Sequence, residues 1–160
     1  MAQNFYVWIK GQNVGDVLGE STIASMGREG SIEGFKFEHM VQIHREASGM
    51  ATGERSYGPI TITKRIDKSS PILHQALCYN DELEVTFKFY RPDIGGAGTE
   101  EHFYTIGLRR GRISAIKTIN ADPFDDRSPP MMEEVSFVFG EISWTYESGG
   151  IVFIDEWRVA

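Results

Sequence analysis

The stretch from Tyr57 to Arg91 constrains this chain most, because a two-residue hydrophobic period runs, pauses for a brief helix, and resumes. Ile60, Ile62 and Ile66 recur at even spacing, with Thr61, Thr63 and Arg65 between them. That is the period of a half-buried strand. Ser70 then precedes Pro71. Serine caps a helix by accepting a backbone N–H, and proline suits the first helical position because its missing N–H would be unpaired anyway. Ile72, Leu73, Ala76 and Leu77 give the helix one apolar side, and Asn80-Asp81 ends it. Leu83, Val85, Phe87 and Phe89 resume the alternation against Glu84, Thr86, Lys88 and Tyr90. This block predicts the sheet core and its one helix.

The flanking sequence reads the same way. Phe5 to Lys10 is almost wholly apolar, as expected of a strand covered on both faces or at an oligomer contact. Phe35, Phe37, Val41 and Ile43 alternate with Lys36, Glu38, Met40, Gln42 and His44, which predicts one long strand with a buried and a polar face. Ala47 to Arg55 is a polar loop with two glycines, longer than a tight hairpin needs, and reads equally as a flexible tip or a contact arm. Gly95 to Gly98 reads as a hairpin turn, and Arg109-Arg110-Gly111-Arg112 as a solvated turn between two strands. Asn120 to Pro130 holds three prolines and three aspartates, so it predicts an irregular acidic loop rather than a calcium site. Glu133 to Tyr146 changes parity near Gly140-Glu141, which requires a bulge or bend. Ile151 to Val159 forms the last segment.

The expected fold is therefore mainly β: a compact β-barrel or two-sheet subunit of eight to ten strands with one short α-helix, a single domain over 1–160. Its open strand edges need cover or a pairing partner, and a neighbouring copy would serve.

Composition narrows the partners. The net charge is −7, which disfavours nucleic acid and anionic membrane surfaces, since both need clustered lysine and arginine. No apolar run approaches the ~20 residues that span a bilayer, so no membrane insertion is expected. The N-terminal segment reads as a strand rather than a secretory signal, so any export from the cytoplasm is expected to bypass signal-peptide recognition. The one cysteine, Cys78, allows no internal disulfide and is expected as a small core hydrophobe.

No nucleophile elbow, zinc-protease helix, Cys-x-x-Cys pair or Walker loop occurs. His39, His44, His74 and His102 are scattered, and a strand would splay Glu133 and Glu134 apart. Neither an enzyme nor a cofactor is expected. A small β-barrel enzyme or ligand-binding domain would need an apolar pocket with convergent polar groups, which a barrel filled by Phe87, Phe89, Phe137 and Trp144 would deny.

Several stretches together resemble the haemolysin-coregulated protein (Hcp) family, the inner-tube subunit of bacterial type VI secretion systems. They run in order through Trp8-Ile-Lys-Gly, Gly19-Glu-Ser21, Ile62 to Leu73, Phe89-Tyr-Arg91, Glu100 to Ile106, Glu133 to Phe137, Ile142 to Tyr146 and Asp155-Glu-Trp157. The loop from Asp122 to Pro130 has no counterpart in that series. The resemblance implies homohexameric rings that stack into a secreted tube, driven outward by a sheath with a spike at its tip, and a lumen that carries effector proteins. It implies that Lys36, Glu38 and Gln42 face the lumen. The Ala47 to Arg55 loop, centred on Ser48, Gly49, Met50, Ala51, Thr52 and Gly53, would contact the next ring. Lys64, Arg65, Asp67 and Lys68 are expected to supply charge pairs at the subunit contact. A phage-type contractile tail tube protein is the alternative, with the same physics in another setting.

Overall fold

The computed structural model describes residues 3–96 and 98–157. Alternating sequence becomes antiparallel sheet, in chain order β1 (Phe5–Gly11), β2 (Gly15–Val17), β3 (Ile32–Glu38), β4 (Val41–Gln42), β5 (Ser56–Tyr57) and β6 (Ile60–Arg65). The helix α1 (Ser70–Cys78) follows. Then come β7 (Leu83–Pro92), β8 (Glu100–Ile119), β9 (Met132–Val138), β10 (Glu141–Tyr146) and β11 (Ile151–Glu156). The described strands number eleven, above the expected range, because β2, β4 and β5 are only two or three residues long.

The pairing path runs β8, β7, β1, β3, β6, β9 and returns from β9 to β8, so six strands close on themselves. Closure removes most of the open edge that a flat sheet would leave. β10 and β11 extend from β8 as a flap, and β4 with β5 forms a separate two-stranded ribbon.

The closure depends on β8, which is 20 residues long. It pairs with β7 up to Gly111 and with β10 up to Arg109, then with β9 from Arg112 onward. The expected turn at Arg109 to Arg112 is instead a bend within this one strand. Arg110 takes φ +50°, a left-handed backbone rarely adopted by residues with a Cβ, and there the strand exchanges partners. Pairing with other strands on both sides of Arg110 keeps the flanking residues in one strand.

The interior is aliphatic and aromatic. Phe87 and Phe137 are fully buried, with ring centroids 5.8 Å apart. Phe89 and Trp144 are only partly buried and pack at the margin of the core. Phe5 meets Phe37 and Phe89 at 5.7 and 5.4 Å. Gly34 faces Phe5 so closely that a Cβ would lie 2.3 Å from its ring, and Gly19 lies against the Ser31 carbonyl, 2.5 Å from where a Cβ would sit. Tyr6 and Tyr90 belong to the opposite face of β1 and β7, where the buried Arg28 guanidinium covers both rings. This explains why β1 is apolar on both sides.

Two sequence expectations change around β6. Ile66 does not continue the inward row; it lies beyond the strand and is 37% exposed. Lys64 takes the inward place with no exposure at all. Its Nζ donates to Glu133 Oε1 at 2.5 Å, Asp67 Oδ1 at 3.1 Å, Ser70 Oγ at 3.3 Å and the Arg65 carbonyl at 2.9 Å. Lys64 and Glu133 are direct cross-strand partners in the β6–β9 register, so the pattern places a cation and an anion opposite each other inside. Ser70 is the first helical residue rather than the cap. Ser69 holds the cap position without a side-chain cap bond, and Asp67 accepts the Ser69 backbone N–H at 2.9 Å. Cys78 is exposed at the end of α1, not in the core, because the helix directs Leu73 and Ala76 inward.

The long strand expected over Phe35 to His44 is broken. β3 ends at Glu38, and a bulge between Gly34 and Lys36 separates the Phe35 and Phe37 faces: Phe37 packs inward, while Phe35 lies under the Arg65 guanidinium. Val41 and Ile43 are 43% and 41% exposed, so their alternation does not mark a buried face.

Candidate functional site

Three surface features stand out, and each follows from local sequence. The first is the outer face of β3, β6 and β9. Residues alternating with the core row point outward here: Lys36, Glu38, Thr61, Thr63, Glu134 and Ser136. Lys36 and Glu38 form an exposed pair at 3.1 Å, and the Thr61 and Ser136 hydroxyls are 3.0 Å apart. Gln42 lies beyond the break after Glu38, so it does not join this row.

The second feature is an arm. β4 and β5 pair through Val41↔Tyr57 and Gln42↔Ser56, and one further bridge joins Arg45 to Ala51. Thr52 N–H donates to the His44 carbonyl at 2.8 Å, and Glu46 N–H to Met50 at 2.9 Å. The loop is therefore the tip of a ribbon that starts at Val41. Every residue from Met40 to Arg55 is exposed. A two-stranded ribbon is marginal in water on its own, so its base is where order must come from. There His39 stacks on Tyr57 at 6.1 Å and meets Phe139 edge-on at 5.8 Å. Its Nε2 has no hydrogen-bond partner, and burial pushes its pKa below the usual histidine value despite an opposing backbone hydrogen bond at Gly58.

The third feature is β11. Ile151, Val152, Phe153 and Ile154 are 68%, 52%, 62% and 56% exposed. Adjacent strand residues point to opposite faces, so this strand is apolar and open on both. Among the described residues its outer edge has no partner strand. Phe153 stacks on Trp144 of β10, 5.7 Å away.

One polar knot joins the arm to β11. Arg55 donates to both Asp155 carboxylate oxygens, at 2.6 and 3.0 Å, and to the Glu156 carbonyl at 3.1 Å. The Tyr57 hydroxyl donates to the same carboxylate. Arg55, then Tyr57, hold the Asp155 carboxyl below the usual carboxylate range, against the opposing effect of desolvation. Among the described residues no three His, Cys, Asp or Glu side chains converge as a metal site. None of the described helices is long and apolar enough to cross a membrane.

The described surface thus combines a polar strand face, a projecting ribbon and an exposed apolar strand. The family described as "Type VI secretion system effector, Hcp" matches residues 6–146. The chain belongs to the Hcp family. It is 37% identical over 136 residues to the major exported protein of Pseudomonas aeruginosa, covering 82% of this chain and 78% of that one. A mutant form of Hcp1 from E. coli EAEC 042 superposes with a TM-score of 0.84 at 30% identity, over 98% of this chain and 100% of the other. Secreted Hcp3 of Pseudomonas aeruginosa gives 0.77 at 30% identity, over 99% and 100%.

Against the Hcp expectations, the charged quartet divides. Lys64 has no surface to offer a neighbouring copy, so its assignment to a subunit contact is corrected: its charge is spent inside on Glu133 and Asp67. Arg65 and Lys68 remain exposed, and Asp67 is largely occupied by Lys64 and Ser69. Ser48 to Gly53 form the outer part of the arm. Nothing in the sequence groups Arg55 and Tyr57 with Asp155, since about 100 residues separate the two sides. The signal for β11 was present: Ile151 to Ile154 is four consecutive apolar residues without alternation, which asks for cover on both faces.

Proposed function

We propose that this Hcp chain is a structural subunit whose copies close into hexameric rings, and that the rings stack into the secreted inner tube of a type VI system. Effector proteins ride in the lumen, and sheath and spike proteins meet the assembled tube. The observation that carries this is β11: a strand apolar on both faces with an unpaired edge is unstable in water as an outer surface. A neighbouring copy of the same chain supplies the cover, by a heterologous contact in which two different patches meet around a rotation axis. Arg65 at the end of β6 and Lys68 in the turn before α1 are exposed away from β11 and offer charged contacts at the seam. Lys36 and Glu38 on the polar β3–β6–β9 face line the channel, where small and mixed-charge side chains leave room for cargo. Gln42 accompanies the arm instead. Ser48 to Gly53 reach the next ring.

Size-exclusion with light scattering, followed by electron microscopy, tests the ring. The wild-type chain is expected as annuli of six copies. Phe153→Asp places a charge in the seam and is expected to give dispersed subunits. Arg65→Glu is expected to shift native mass spectra toward smaller species. A strictly monomeric wild type at high concentration refutes the proposal; unchanged ring mass in Phe153→Asp removes β11 from the seam.

A further inference from the structure

The arm and the seam strand are not independent, because one carboxylate serves both. Asp155 sits on β11, the strand whose apolar neighbours Phe153 and Ile154 are open to solvent. Its side chain is only 16% exposed. Both of its oxygens are taken by the arm: Arg55 spans them, and the Tyr57 hydroxyl reaches one. The return strand of the ribbon is thereby fastened by its last residues, Arg55 to Tyr57. The outgoing strand, Val41 and Gln42, pairs with Tyr57 and Ser56, and the Gly58 N–H donates to the Met40 carbonyl just before it. Past that pairing the ribbon keeps its own cross-strand links, the Arg45–Ala51 bridge and the Thr52 and Glu46 N–H donations to the His44 and Met50 carbonyls, and Arg55 ties it to β11.

We infer that Asp155 is a positioning residue that couples ring closure to arm order: β11 clamped by a neighbouring copy presents the carboxylate that fixes the arm, and a loose β11 releases it. This rests on the seam reading of β11 above. Its physical basis is that a bidentate, charge-assisted pair sets direction as well as distance. A ribbon too short to hold itself takes its order from that point. Coupling of this kind is reciprocal, so an arm fixed from outside also steadies β11 for its neighbour.

Hydrogen exchange read at the arm amides of Glu46 and Thr52 tests it. Asp155→Asn and Arg55→Gln are each expected to speed exchange there by roughly ten- to hundredfold, the range of one lost charged hydrogen bond, while core amides such as Ile62 and Phe87 stay unchanged. The double variant is expected to be no faster than either single one. In the wild type, arm exchange is expected to be slower in rings than in the dispersed Phe153→Asp subunit. With Asp155→Asn added, that difference is expected to vanish. Unchanged arm exchange in both single variants, additive effects in the double, or a ring-dependent difference that survives Asp155→Asn each overturns the inference. If Phe153→Asp still forms rings, the seam reading fails instead, and the two single variants still decide whether the carboxylate holds the arm.

Discussion

Lys64→Met is the most informative single change, because it strands a charge that has nowhere to go. Lys64 and Glu133 are both fully buried, 2.5 Å apart, and Glu133 Oε2 already lacks a partner. Removing the cation leaves Glu133 with the Ser70 hydroxyl at 2.8 Å as its donor. Breaking a buried pair from one side costs about 3–5 kcal/mol, whereas replacing both partners with apolar groups is close to neutral. With a urea slope of about 2 kcal/mol per molar, the midpoint falls by about 2 M. The double variant Lys64→Met with Glu133→Leu is expected to recover most of that loss. The assay is urea unfolding followed by tryptophan fluorescence at one fixed protein concentration, since assembly adds its own stability. A Lys64→Met loss under about 1 kcal/mol, or a double variant whose loss is the sum of the two singles, refutes the claim that this pair is held together by mutual neutralisation.

Two further outcomes follow from the packing. Gly34→Ala drives a methyl into the Phe5 ring, which Phe37, Phe87 and Phe89 hem in, so a loss of about 1–3 kcal/mol is expected in the same unfolding assay. His39 has a folded-state pKa below its unfolded value of about 6.5. Its contribution is therefore complete above that pH and is lost as pH falls through the lower folded value. His102 is shifted the same way by burial, so the wild type minus His39→Phe difference in melting temperature isolates the arm-base histidine. A difference that stays flat between pH 8 and pH 5 contradicts it.

The mainly β class, the α-helix and the bend near Gly140 were legible in sequence, and cover on both faces of β1 was one of the two readings its apolar run allowed. They depend on local periods: alternation records which face of a strand is dry, whatever strand lies beside it. The exposure of β11 was not among them: four apolar residues in a row ask for cover, and only the structure shows both faces open. The errors have a common cause. Lys64 looks like a surface lysine until Glu133, 69 residues away, is placed opposite it. Val41 and Ile43 continue the alternation of β3, yet they leave the barrel with the arm, because a period carries no information about where a strand ends its pairing. Arg109 to Arg112 reads as a turn because charge and glycine usually mean solvent, while pairing with β7, β10 and β9 in succession holds the residues on either side of Arg110 in one strand.

Local chemistry along the chain thus settled the kind of element and the buried face of most strands. Which strands meet, where β8 changes partners, and that Arg55, Tyr57 and Asp155 share one hydrogen-bonded knot were decided only by folding in three dimensions. Side-chain periods act over a few residues, whereas sheet closure and ion pairing join groups that chain order keeps far apart.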